Sequence, residues 1–97
     1  MNIDELRERL DALFPQLVDE LSQLVAIPSV SSDPSHAADV DRSAEHIRSR
    51  FEALGLDAQI HSVTTPEGVQ GKPAILARSP HIEGAPTVLL YAHHDVQ

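Results

Sequence analysis

The stretch VLLYAHHDVQ at residues 88–97 joins an apolar run to three side chains that can bind metals or transfer protons. A run that is apolar on consecutive positions is typical of a strand covered on both faces, as in the sheets of α/β proteins. His93, His94 and Asp95 follow that run directly. Because ligands bind at the carboxyl ends of strands in such sheets, the stretch predicts an α/β fold with a candidate site after its last strand.

The composition restricts the partners and the compartment that we expect. Seven basic and 15 acidic residues among 97 give a formal net charge of −8, which disfavours a nucleic-acid partner because clustered Lys and Arg provide that affinity. There is no cysteine, so disulfides, thiolate metal sites and cysteine nucleophiles are excluded. No segment approaches the roughly 20 apolar residues of a membrane span, and the charged N-terminus does not resemble a secretory signal. We therefore expect one small cytoplasmic domain without a membrane partner.

Two apolar stripes at helical spacing occupy the first half of the chain. They consist of Ile3, Leu6, Leu10, Leu13, Leu17, Leu21 and Leu24, and of Ala37, Val40, Ala44, Ile47, Phe51 and Leu54. Pro15 interrupts the first stripe and predicts a kink or a restart of that helix. Asp33 and Pro34 predict the start of the second helix, as N-cap and first-turn proline, and Gly55 predicts its end.

Three short segments in the second half have the patterns of strands. Residues 56–63, LDAQIHSV, alternate weakly as a half-exposed strand would, and residues 74–77, AILA, form a short apolar run. The closing strand is expected at about residues 87–92. Two helices followed by about three strands predict the N-terminal part of an α/β domain with an incomplete sheet, because the closing strand would need cover and neighbours on both sides.

Residues two apart on a strand share a face, so His93 and Asp95 are expected on one side and His94 on the other. A metal-binding imidazole usually donates its second ring N–H to an orienting oxygen, often of a carboxylate. The spacing therefore makes His93 a candidate metal ligand beside an acidic partner, Asp95, with His94 facing solvent or a helix. The alternative is a strand-end histidine hydrogen-bonded to a local acid.

The remaining histidines and the serines near residue 30 are given no chemical role. Four histidines show neither His-x-x-x-His spacing nor a clustered acid, and we expect ordinary surface positions for them: His36, His46, His61 and His81. The serines of SVSS at residues 29–32 lack the Gly-x-Ser-x-Gly elbow of a serine nucleophile.

The motif YAHHDVQ at residues 91–97 resembles the first metal-site motif of the dinuclear zinc exopeptidases that include carnosinase, cytosolic non-specific dipeptidase, aminoacylase and succinyl-diaminopimelate desuccinylase. Three other segments resemble that family in the same order along the chain. They are LSQLVAIPSVSSDP at 21–34, IRSRFEALGLDAQI at 47–60 and GKPAILAR at 71–78. Two positions depart from the dipeptidase pattern, since Ala92 replaces a glycine and His94 occupies a variable position.

The resemblance implies that His93 is a zinc ligand and that Asp95 is the acid that orients the site. It also implies two zinc ions per complete active site, with Mn²⁺ or Co²⁺ as alternatives, and small peptides as substrates. The other ligands, the general base and the lid domain, which usually mediates homodimerisation, would lie beyond Gln97. Residues 1–97 are therefore expected to be an N-terminal fragment of the catalytic domain that is inactive alone.

Two classes of function remain open at this point. The first is metal-dependent hydrolysis of dipeptides or related amides by a complete zinc metallodipeptidase that contains this segment. The second is a non-catalytic interaction fragment that keeps the first elements of the fold. The sequence that follows Gln97 would discriminate the two classes, because a Glu-Glu pair some tens of residues further on supports the first.

Overall fold

The computed structural model describes all 97 residues, and its first element is a long amphipathic helix, α1 (Ile3–Val25). Asn2 caps this helix: its side chain accepts a hydrogen bond from the Glu5 backbone N–H, and the Glu5 side chain accepts one from the Asn2 backbone. Such a capping box satisfies N–H groups that a helix start leaves without partners. No residue of α1 is buried, so its apolar stripe is formed but is not packed into a core.

Helix α1 continues through Pro15, so the expected restart at this position is wrong. Proline removes one backbone hydrogen bond and crowds the carbonyl four residues earlier. Because α1 is exposed along its length, water can hydrate the carbonyl that loses its partner.

The second helical region begins as expected from its capping residues. Asp33 accepts a hydrogen bond from the Ser35 backbone N–H at the start of a 3-10 helix, Pro34–His36, which leads into α2 (Ala37–Ala53). Gly55 follows α2 with φ +83°, a conformation that favours glycine at a helix end. Val40, Ser43 and Ala44 are the buried residues of α2.

The two strands β1 (Asp57–His61) and β2 (Ala74–Arg78) pair antiparallel, with Asp57 opposite Arg78 and His61 opposite Ala74. Helix α2 packs against this ribbon, and Ala58 is buried. The connecting loop requires a glycine at position 71, because a Cβ there would lie 2.8 Å from the Val63 carbonyl oxygen. Both predicted strands are thus confirmed at their expected places.

The predicted closing strand does not form. Residues 87–92 do not form a strand. The next backbone pairing along the chain is at Val96, which forms an isolated parallel bridge with Val30. A strand requires hydrogen-bonding neighbours, and this segment has none within the 97 residues. The α/β class with an open, incomplete sheet is confirmed, with two strands paired instead of three.

The small core explains the extended shape of the chain. Only 5 of 97 residues are buried, and the Cα radius of gyration is 16.2 Å. A compact domain of this length has a radius of gyration of about 12–13 Å. None of the helices is both long and apolar enough to cross a membrane.

Candidate functional site

The candidate site is centred on a hydrogen bond between His93 and Asp95. His93 Nδ1 lies 3.0 Å from Asp95 Oδ1 and 3.1 Å from the Asp95 backbone carbonyl oxygen. Both partners are acceptors, so Nδ1 carries a proton and donates the hydrogen bond, and in the neutral imidazole the free lone pair is then on Nε2. The His93 side chain is 69% exposed, and the Asp95 side chain only 18%. The imidazole therefore presents an unprotonated nitrogen outward from a sheltered carboxylate.

The carboxylate of Asp95 is held on its second oxygen as well. The Ser31 hydroxyl donates to Asp95 Oδ2 at 2.6 Å, and the Gln97 amide donates to the same oxygen at 3.2 Å. The Ser31 hydrogen bond lowers the pKa of Asp95 below its ordinary value, and the interaction with His93 lowers the pKa further. Asp95 is thus an ionised acceptor for His93 Nδ1–H over the neutral pH range.

Backbone contacts fix the segment of Asp95 against the turn that contains Ser31. The Val96 N–H lies 3.1 Å from the Ser29 carbonyl oxygen and 3.2 Å from the Ser29 hydroxyl oxygen. Ser29 is fully buried, and the neighbouring residue Val30 forms the parallel bridge with Val96. These contacts align the segment of residues 29–31 with the segment of residues 95–96, more than 60 positions further along the chain. The hydroxyl of Ser31 therefore faces the carboxylate of Asp95.

His94 points away from the pair formed by His93 and Asp95, into the packed side of the chain. Its Nδ1 lies 2.6 Å from the hydroxyl of Ser43 on α2, and its Nε2 lies 3.1 Å from the Pro73 carbonyl oxygen. A carbonyl can only accept, so Nε2 carries a proton toward Pro73. Because both ring nitrogens contact protein atoms, His94 is not available as a metal ligand in this arrangement, and its expected helix-facing position is observed.

The other histidines lie apart from this site. His36 contacts Asp39 at 2.8 Å, and His81 contacts Glu83 at 3.2 Å, each close to its own position in the chain. No three His, Asp or Glu side chains come close enough together to hold a metal ion.

The serines that contact the site were missed by sequence reasoning. Ser29 and Ser31 lie in the SVSS stretch, for which the sequence predicts no chemical role, and Ser43 lies in a helix. Ser29 and Ser43 are both fully buried. Ser43 could have been identified from its position, because it lies between Val40 and Ala44 on the apolar face of α2. A serine on that face is buried, and a buried hydroxyl requires a hydrogen-bond partner.

Comparison with known proteins assigns the class of protein to which this segment is related. Over 98% of its length the chain is 33% identical to the Cys-Gly metallodipeptidase DUG1 of Candida albicans. It is 33% identical over 84% of its length to the cysteinylglycine-S-conjugate dipeptidase of Corynebacterium striatum. It is 32% identical over its whole length to the Cys-Gly metallodipeptidase dug1 of Schizosaccharomyces pombe. The resemblance to the metallodipeptidase family is therefore confirmed.

The chain spans about a fifth of the length of these relatives, with 21%, 17% and 21% of the three covered. No protein-family model matches the chain. No solved structure matches it either.

The residues present fit one part of a metal centre. A ligating imidazole typically donates its second N–H to a carboxylate or carbonyl, and His93 does both through Nδ1. A catalytic zinc site uses about three protein ligands and a water molecule. His36 also contacts a carboxylate through Nδ1, but the carboxylate beside His93 is held in addition by Ser31, and His93 Nδ1 also contacts a backbone carbonyl. Because no three possible ligands lie together, the further ligands of such a centre would have to come from outside residues 1–97.

Proposed function

We propose that this segment belongs to a metallodipeptidase in which His93 binds one of two zinc ions. The observation that supports this proposal is the hydrogen bond from His93 Nδ1 to Asp95, which leaves Nε2 free and directed away from the carboxylate. Residues 1–97 would form the N-terminal part of the catalytic domain. We also propose that the complete protein has a lid domain through which it forms a dimer, and that it is located in the cytoplasm.

The residues of this segment would hold and orient the metal rather than take part in proton transfer to the substrate. When bound, a zinc pair supplies the activation of a water molecule and the polarisation of the scissile carbonyl. Asp95 would keep the proton of His93 on Nδ1, so that Nε2 stays available as a donor to the metal. The general base would lie outside residues 1–97.

Dipeptides are the proposed substrates, and Cys-Gly is the first to test because two of the relatives carry that name. The experiment uses a protein of the relatives' length that contains this segment. We expect about two zinc ions per chain, hydrolysis of Cys-Gly, and loss of activity after a chelator, with recovery on adding zinc. Bound metal without hydrolysis of any dipeptide would contradict the proposed activity.

The 97-residue chain by itself is expected to be inactive, because it offers one credible ligand where about three are needed. Incubation of this chain with Cys-Gly and zinc or manganese tests the expectation. Turnover above that of the metal ions alone would contradict the assignment of the other ligands to residues outside this segment.

The second candidate function is that of a non-catalytic interaction fragment. It is favoured by the apolar stripe of α1, on which large side chains such as Ile3 and Leu21 are 60% and 59% exposed. If the protein of the relatives' length binds no metal and hydrolyses no dipeptide, this candidate replaces the first.

A further inference from the structure

We infer that Ser31 is a positioning residue for His93, acting through the carboxylate of Asp95, and this inference rests on the proposed role of His93 as a metal ligand. Three side chains form the connection. The Ser31 hydroxyl donates to Asp95 Oδ2 at 2.6 Å, and Asp95 Oδ1 accepts from His93 Nδ1 at 3.0 Å. Each oxygen of one carboxylate thus has its own donor, and the two donors lie on opposite sides of the group.

The orientation of the His93 ring depends on hydrogen bonds because packing does not hold it. Its side chain is 69% exposed, so few neighbouring atoms restrict rotation of the imidazole. The carboxylate that orients the ring can itself rotate, since the terminal torsion of Asp has a broad energy profile. A donor on Oδ2 restricts that rotation, and Ser31 is the closer of the two donors present; the Gln97 amide lies at 3.2 Å.

Ser31 is suited to this role because its own backbone is anchored. The preceding residues Ser29 and Val30 contact Val96: the Val96 N–H donates to the Ser29 carbonyl oxygen and lies close to the Ser29 hydroxyl, and Val30 forms the parallel bridge. The distance between Ser31 and Asp95 is therefore set by the backbone on both sides. A hydroxyl held in this way costs less conformational entropy to fix than the side chain of Gln97, which is long and exposed.

Removal of the Ser31 hydroxyl should release the carboxylate and weaken the preference of His93 for the Nδ1–H tautomer. The Asp95 carbonyl oxygen, at 3.1 Å from Nδ1, would retain part of that preference. The expected effect is thus a shift of the tautomer population toward Nε2–H, with the loss of a free Nε2 lone pair in the shifted fraction. In a loaded enzyme the zinc affinity should fall by less than the roughly 10–100-fold typical of removing the carboxylate itself.

The test reads the tautomer directly in the 97-residue chain, labelled with ¹⁵N at histidine and kept at about pH 8.5, where unperturbed imidazoles are neutral. Solution or magic-angle-spinning NMR distinguishes a protonated from an unprotonated ring nitrogen, and the second method works on associated protein. The parent chain should show His93 mainly as Nδ1–H. Ser31→Ala should shift it toward Nε2–H, and Ser31→Thr, which keeps the hydroxyl, should restore the parent population.

Ser32→Ala is the matched control, because Ser32 is the neighbouring serine, is exposed, and its hydroxyl does not hydrogen-bond to Asp95. It should leave the His93 signals unchanged. If Ser31→Ala does not fold, Ser31→Thr and Ser31→Val provide the comparison, since Thr and Val have nearly the same shape and differ in the hydroxyl. Equal tautomer populations in this pair, or unfolding of every Ser31 variant, would overturn the inference.

This readout separates the inference from the proposed function. The tautomer requires neither metal nor substrate, so it reports on Ser31 even if the protein is not a peptidase. In a protein of the relatives' length, Ser31→Ala should lower the zinc affinity while Ser32→Ala does not. Hydrolysis of dipeptides with unchanged zinc affinity and unchanged tautomer in Ser31→Ala would leave the proposed function intact and reject the role of Ser31.

Discussion

At the scale of single residues, the two adjacent histidines have opposite surroundings although their sequence context is the same. His93 has one nitrogen on a carboxylate and one free, whereas His94 has both nitrogens on protein atoms. A period of two residues is sufficient to separate them, because neighbouring side chains in an extended segment point in opposite directions. The assignment of His93 as the metal ligand remains a prediction that substitution can test.

We expect three alanine variants to differ in zinc content in the order His93, Asp95, His94, from the largest loss to the smallest. His93→Ala removes a ligand, and Asp95→Ala removes the group that orients it, which typically costs about 10–100-fold in affinity or activity. His94→Ala should keep the metal. Zinc content and turnover of a protein of the relatives' length measure this order. Loss of zinc in His94→Ala with retention in His93→Ala would reverse the ligand assignment.

His94→Ala should instead reduce stability, because it removes contacts with Ser43 on α2 and with the Pro73 carbonyl. The buried Ser43 hydroxyl keeps the Val40 carbonyl oxygen as a partner at 2.9 Å, so the expected cost is that of the hydrogen bonds lost with His94, about 1 kcal/mol. Denaturant unfolding of the same protein should show a loss of this order for His94→Ala. His81→Ala serves as the control, since that side chain is 80% exposed, and its variant should unfold like the parent.

At the scale of elements, α1 and α2 are joined by an ion pair rather than by a core. Arg50 on α2 donates to Glu20 on α1 at 2.5 Å, beside an apolar groove lined by Leu17, Leu21 and Phe51 among others. The hydrogen bond from Gln16 lowers the pKa of Glu20 below its ordinary value of 4.5, and Arg50 contributes to the same shift. The contact should therefore depend on pH in the acid range.

A lowered pKa gives Glu20 a stabilising effect that is complete above pH 4.5 and is lost as the pH falls through the pKa of the folded state. In a protein of the relatives' length, we expect the melting temperature of the parent to exceed that of Glu20→Gln at neutral pH, with the difference closing as the pH falls below 4.5. Glu8→Gln, which removes an exposed charge from the same helix, should show no such closing difference. A constant difference between the parent and Glu20→Gln would argue against the ion pair.

Pro15 offers a second test at this scale, because α1 continues through it without a break. Proline in a helix interior is about 3 kcal/mol less favourable than alanine, and no buried contact of α1 compensates for it here. Pro15→Ala should increase the helix content of the chain, measured by circular dichroism. Ala12→Ser, a mild change on the same helix, is the control. A decrease in Pro15→Ala would indicate that the proline shape is required for packing.

Local sequence patterns predicted the helices and two of the strands, but they did not predict the contacts between distant parts of the chain. The stripes of α1 and α2, the cap at Asp33, the end at Gly55 and the two strands depend on residues within a few positions of each other. The continuous helix at Pro15 depends on solvent access to the backbone, which the pattern does not contain. The contacts Ser31–Asp95 and Ser43–His94 join residues 64 and 51 positions apart, and no local pattern specifies such pairs.

At the scale of the whole molecule, the site is assembled on a chain that buries little apolar surface. The four residues Val88, Leu89, Leu90 and Tyr91 are 73–90% exposed and follow one another directly. Exposed apolar runs without strand partners are typical of surfaces that associate. The His93–Asp95 pair follows this run closely, so a change in the packing of the run would affect the position of the pair.

We expect the 97-residue chain to self-associate and to unfold without a sharp cooperative transition, because its buried core is small. Leu90→Lys places a charge in the exposed run and should weaken association, measured by sedimentation velocity over a range of concentrations. Val69→Lys adds the same charge in the loop between the strands, where the side chain is 63% exposed, and should leave association as in the parent. Association should persist in part in Leu90→Lys, since the apolar stripe of α1 is also exposed. A parent chain that is monomeric and melts sharply, or equal association of the two lysine variants, would show that residues 88–91 are not the associating surface.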